Sequence, residues 1–97
     1  MFNLTGKVAL ITGASSGIGR ASAIALAAQG ASVTIGARRV EKLKELKKEI
    51  EAKGGKVLVV QMDVLKKEDS DRAVDETVKT FGRLDILLNN AGTALGA

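Results

Sequence analysis

The chain has 97 residues, and its 15 Lys and Arg against 11 Asp and Glu leave a formal charge of +4. That length bounds it to one domain at most, residues 1–97, small for a complete α/β enzyme. It has no Cys and no His, which excludes a disulfide framework, a thiol nucleophile, a zinc site and imidazole acid–base chemistry. With no Tyr or Trp and two Phe, it lacks the stacking platforms of a nucleic-acid binder, and its basic residues are spread among acids along helices rather than gathered in a block. The excess of positive charge instead suits a ligand that carries phosphate. The N-terminus lacks the layout of a signal peptide and no apolar run is long enough to span a bilayer, so no membrane partner and a cytoplasmic location are expected.

In chain order, Lys7 to Thr12 reads as a short buried parallel strand. Then comes Thr12-Gly13-Ala14-Ser15-Ser16-Gly17-Ile18-Gly19, three glycines at a strand-to-helix turn. Gly13 permits a tight turn, Gly17 lets backbone approach a phosphate, and Gly19 lets the helix press on the sheet. Ser15 or Ser16 is placed to cap the helix, whose free N–H groups and positive dipole end face any anion lying there. The octapeptide alone is equally compatible with a structural turn that holds no ligand.

A helix follows from Gly17 to Gln29, with Ile18, Ala21, Ala25 and Ala28 expected on its buried face. A second strand begins at Ser32 and runs towards Ala37, and a second helix covers Val40 to Lys53 with Val40, Leu43, Leu46 and Ile50 on one stripe. Val57 to Val60 is a third strand, too β-branched and apolar for a surface element. A third helix spans Glu68 to Phe81 with Val74, Val78 and Phe81 expected inward, although Leu65 stands where a capping residue is wanted. Strand four is Asp85 to Leu88, followed by Asn89-Asn90-Ala91-Gly92 and a Gly/Ala tail. Each helix stops at Gly before the next strand, a repeated unit that predicts a parallel sheet with crossover helices.

In a dinucleotide fold an acid about twenty residues beyond the glycine turn accepts the ribose 2′-hydroxyl. Here that count reaches Ala37, followed at once by Arg38 and Arg39. A guanidinium can hold a 2′-phosphate that a carboxylate would repel, so NADP(H) is expected in preference to NAD(H). The same two arginines are also what the ordinary surface of a charged helix would present.

The glycine motif, Asp63-Val64 after strand three and Asn89-Asn90-Ala91-Gly92 after strand four occur in one order and spacing. In this the chain resembles the short-chain dehydrogenase/reductase family. The resemblance implies a Rossmann-type doubly wound parallel sheet, here truncated to about four strands in the order 3-2-1-4 with three helices. It implies an NAD(P)-dependent alcohol–ketone oxidoreductase. Cofactor contacts are implied for Gly13, Ser15, Ser16, Gly17, Ile18 and Gly19 at the turn, for Asp63 and Val64 at the adenine, and for Asn90, Ala91 and Gly92 beside the adenosine ribose. Asn89 would brace the central strands.

Family members are about twice this length or more, and their catalytic group is a Ser, a Tyr and a Lys four residues after the Tyr. The chain has no Tyr, so no catalytic residue is assigned. It is expected to be the cofactor-binding half without the chemical half. Three readings stay open: a module that holds NADP(H) without turnover, an enzyme completed by another chain, and a structural fragment that binds weakly. The 3-2-1-4 order also leaves strand four, with Ile86, Leu87 and Leu88, as an open edge, from which a two-fold homodimer with antiparallel fourth strands is expected.

Overall fold

The computed structural model describes residues 3–15 and 17–90. Strands β1 (Val8–Thr12), β2 (Ser32–Ala37), β3 (Val57–Gln61) and β4 (Ile86–Asn89) alternate with helices α1 (Gly17–Ala28), α2 (Val40–Ala52) and α3 (Lys67–Phe81). The sheet runs β3-β2-β1-β4 and every pairing is parallel, as expected from the sequence. Among the described residues no helix is long and apolar enough to cross a membrane.

The alternation of side chains along β1 divides the core in two. Ala9 and Ile11 point into the layer beneath α1 and α2, with Val33, Ile35, Leu43, Leu46 and Ile50. Leu10 points into the layer beneath α3, with Val60, Met62 and Ala73. All five residues of β1 are buried. By contrast, β3 is an edge strand on which only Val60 is buried, so its apolar run does not mark the interior element that its composition suggested.

The stripe expected on α2 is found, with Leu43, Leu46 and Ile50 buried. The other two helices are turned from their expected phase. On α1, Gly19 and Ala23 are buried, Ala27 packs partly against the core, and Ala21, Ala25 and Ala28 are exposed. Ile18 is 67% exposed. The cause lies at Gly19, where a Cβ would run into the carbonyl oxygen of Gly13. The helix lies against the turn at that point, so Gly19, Ala23 and Ala27 at intervals of four face inward. A run this rich in alanine has little apolar contrast from which periodicity could set the phase.

On α3 the buried residues are Ala73 and Thr77, while Val78 is 43% exposed. Thr77 donates to the Ala73 carbonyl at 2.7 Å and shares a hydrogen bond of 2.8 Å with Thr34 of β2. This polar pair seats α3 by its small side chains, so that Val74 packs only partly against the core and Val78 is turned outward. Leu87 of β4 is 57% exposed, and its pairing with Leu10 places it on the same face of the sheet as α3. α3 starts at an uncapped Lys66 with Leu65 85% exposed, and it ends in a left-handed Gly82 whose N–H bonds the Val78 carbonyl.

At the amino end of the β1–β4 pair, the Asp85 carboxylate accepts the Val8 N–H at 2.9 Å, and the Asp85 N–H donates to the Val8 carbonyl at 2.9 Å. The Arg83 guanidinium forks onto the same carboxylate. The Arg83 hydrogen bond first, and then the Val8 N–H, hold Asp85 below its ordinary pKa of 3.8. Below that ordinary value the unfolded chain binds more protons than the folded one. The stabilisation is therefore complete above about pH 4 and is lost as the pH falls through the lowered folded value. Asp85→Asn is expected to melt below the unaltered chain at pH 7, with the two melting curves converging as the pH falls below the ordinary carboxylate range. A melting difference that stays constant across that range would contradict this.

Candidate functional site at the carboxyl ends of the strands

The carboxyl ends of β1, β2, β3 and β4 carry most of the residues that the sequence nominates. The order of connection reverses between β1 and β4, and a crevice at such a switch point is where open α/β sheets bind ligands. β1 ends at Thr12, and Gly13 then takes φ of 64° and Gly17 φ of 61°, backbone that a side chain disfavours. The space in which a Cβ of Gly17 would stand is open, so ligand atoms can approach the backbone there. α1 starts at Gly17, and the N–H groups of its first turn have no partner within the helix. That turn contains no acid that would repel an anion. Ser15 is half-buried beside it, and Ile18 is exposed. Gly19 instead serves packing, through its contact with Gly13.

Two ties hold this turn in place. The Ala14 N–H donates to the Gly36 carbonyl of β2 at 3.1 Å. Thr12 joins β1 to β4: its hydroxyl donates to Asn89 Oδ1 at 3.0 Å and accepts the Asn90 N–H at 3.3 Å. Asn90 Nδ2 donates to the Thr12 carbonyl at 3.1 Å. Bracing of the central strands therefore involves Asn90 as well as Asn89, and Thr12 is the centre of it. Thr12 was legible as the end of a strand and the start of the glycine motif, but not as a brace to β4. Ser16, Ala91 and Gly92, also nominated by the resemblance, lie outside the described residues.

Ala37 is 5% exposed, packed in the core. Arg38 is the first exposed position beyond β2, and Arg39 follows, also exposed. Among the described residues neither guanidinium has an ion-pair partner. Arg39 is the N-cap residue of α2 and makes no side-chain capping bond. Cations at a helix N-terminus are disfavoured by the helix dipole. This pair thus departs from good helix design at the place where a phosphate would relieve the conflict.

At the end of β3, Asp63 and Val64 are half-buried, with Val64 packed against the core layer beneath α3. Asp63 Oδ1 accepts the Leu65 N–H at 2.9 Å. The Asp63 N–H donates to Asp69 of α3 at 2.8 Å, and that bond above all holds the Asp69 carboxyl below its ordinary pKa. A cavity of about 350 Å³, lined in part by Ile24, Ala27, Ala28 and Ile50, lies away from the strand ends and takes no part in this constellation.

Known proteins share this arrangement of strands, turn and helices. The short chain dehydrogenase family model matches residues 7–97. An uncharacterized oxidoreductase of Listeria monocytogenes is 44% identical over 86 residues, 89% of this chain and 35% of that protein. The A-factor type gamma-butyrolactone 1'-reductase of Streptomyces virginiae is 50% identical over 86 residues, again 89% of this chain and 34% of that protein. The crystal structure of L-sorbose reductase from Gluconobacter frateurii, complexed with NADPH and L-sorbose, superposes with a TM-score of 0.88 at 44% identity. That superposition covers 94% of this chain and 35% of the reductase. The chain spans about a third of the length of these relatives. With the family model matched along nearly its whole length and a fold that superposes closely on that of a relative, the chain belongs to the short-chain dehydrogenase family.

Proposed function

We propose that residues 1–97 form a single half-Rossmann unit that holds NADP(H) and does not turn it over alone. The observation that carries this reading is Arg38, exposed just past β2 and without an ion-pair partner among the described residues, beside a glycine turn whose backbone is open. Asp63, Val64 and Asn90 stand at the ends of the neighbouring strands, where the adenosine part of the ligand would lie. A bound nicotinamide dinucleotide supplies the hydride of an alcohol–ketone interconversion, and this chain supplies the binding surface. The complex that the L-sorbose reductase forms with NADPH supports the choice of the phosphorylated cofactor.

NADPH is expected to bind about tenfold or more tightly than NADH in a fluorescence titration, since a charge-assisted hydrogen bond contributes roughly 1.5–3 kcal/mol. Because Ala37 is buried, the variant that should reverse the preference places the acid one residue later, Arg38→Asp. Equal dissociation constants for the two cofactors in the unaltered chain would refute the assignment of Arg38.

The chain has no Tyr and no His, so neither a phenol nor an imidazole is present to give a proton to a carbonyl as it is reduced. Incubated with NADPH and a panel of aldehydes and ketones, it should oxidise cofactor no faster than buffer does. Turnover that survives repurification and disappears in Gly17→Val would contradict this.

Among the described residues no strand pairs with the outer side of β4, and that edge supports a two-fold dimer in which β4 meets its own copy antiparallel. Ile86 packs against the core, so a charge there would disturb the fold itself. Leu87, 57% exposed, is the cleaner probe. Light scattering at micromolar concentration is expected to give a dimer mass that falls to the monomer in Leu87→Lys. A monomer mass for the unaltered chain would refute the dimer.

A further inference from the structure

Helix α3 reaches the carboxyl end of the sheet through two side chains. Asp69 accepts the Asp63 N–H at 2.8 Å, and Arg72 donates to the Gln61 carbonyl at 2.8 Å. Arg72 also stands 3.6 Å from Asp69 and 3.1 Å from Glu76, so its guanidinium is held from both sides. Gln61 continues the chain of contacts: its Nε2 donates to the Arg38 carbonyl at 3.3 Å. The backbone on either side of the β3 terminus is thus tied to α3, and one tie extends across to the residue that follows β2.

From these bonds we infer that Asp69, Arg72 and Gln61 are positioning residues for the adenosine 2′-phosphate end of the site. Asp69 sets Asp63, and Arg72 sets Gln61, which in turn sets the backbone that carries Arg38. The inference rests on the cofactor reading above and adds to it an element, α3, that has no nominated ligand contact of its own. The physical basis is the short reach of the interactions involved. A hydrogen bond weakens steeply with misalignment, so a guanidinium on an untethered strand end spends less of its time in the geometry that a phosphate requires. The β3–α3 turn has the same need, since Lys66 at the start of α3 makes no side-chain cap. Asp69 reaching back to Asp63 ties the turn to the first turn of the helix instead.

The two arms of the relay predict different losses, which fragments of the cofactor can separate. The probes are 2′,5′-ADP, 5′-AMP and nicotinamide mononucleotide, titrated into the unaltered chain and followed by amide chemical shifts. Asp69→Ala is expected to weaken 2′,5′-ADP and 5′-AMP alike by about tenfold, and Asp69→Asn, which keeps an acceptor oxygen, to recover most of that loss. Gln61→Ala is expected to lower the preference for 2′,5′-ADP over 5′-AMP by roughly threefold while leaving 5′-AMP unchanged. Nicotinamide mononucleotide should respond equally in all of them. Uniform weakening of all three probes would show general loosening of the fold and overturn the inference. Binding of 2′,5′-ADP by the unaltered chain that neither Asp69→Ala nor Gln61→Ala alters would overturn it while leaving the cofactor reading intact. If the unaltered chain does not bind 2′,5′-ADP, both fail together.

Discussion

The contact between Gly19 and Gly13 is the constraint on which the rest depends. A helix that follows a strand by a turn of four residues must come back over that strand at very close range. Here the approach is so close that the helix can meet the turn only through a residue without a Cβ. That single contact sets the rotation of α1. It brings Ala23 and Ala27 onto the sheet, leaves Ile18 outside, and presents the N-terminus of α1 at the end of β1. An open backbone turn and a well-seated helix are therefore one structural solution, since the backbone that packs Gly19 is continuous with the backbone left open at Gly17.

β1 is the strand that everything else holds. β2 and β4 flank it, α1 and α2 cover one face and α3 the other, and all five of its residues are buried. Its pairing with β4 is fastened at both ends by side chains: Asp85 on Val8 at the amino end, and Asn89 and Asn90 on Thr12 at the carboxyl end. β4 has only four residues and shows an exposed leucine, so side-chain fastening compensates for a short ladder. The polar groups at the carboxyl end sit next to the crevice, so that strand stability and site geometry share the same atoms.

The electrostatics of the carboxyl end follow from which charges are paired. Asp69 and Arg72 are engaged with each other and with backbone, as Arg83 and Asp85 are at the far end of β4, and their roles are positional. Arg38 and Arg39 have no such partners among the described residues, although the helix behind them disfavours positive charge. Positive charge left unpaired at a helix N-terminus, where the dipole disfavours it, supports the proposed role in holding an anion.

Much of this was legible in the sequence. The alternation of strands and helices follows from local periodicity and glycine punctuation, and the stripe of α2 was clear because its apolar and charged residues contrast sharply. The glycine turn, Arg38, Asp63 and Asn90 could be named from spacing and resemblance. Helix rotation could not be read where the residues are uniformly small, as in α1, or where a buried Thr77–Thr34 pair outweighs a valine stripe, as in α3. Periodicity records which side chains are apolar, whereas rotation depends on what the neighbouring element presents. The burial of Ala37 and the bonds from Asp63 to Asp69, from Arg72 to Gln61 and from Gln61 to Arg38 were likewise invisible, because each depends on groups brought together from separate elements. Sequence by itself determined which elements form and which residues end the strands. Only tertiary structure decided which faces those elements turn inward and which side chains hold the ends in place, because both are set by contacts between residues far apart in the chain.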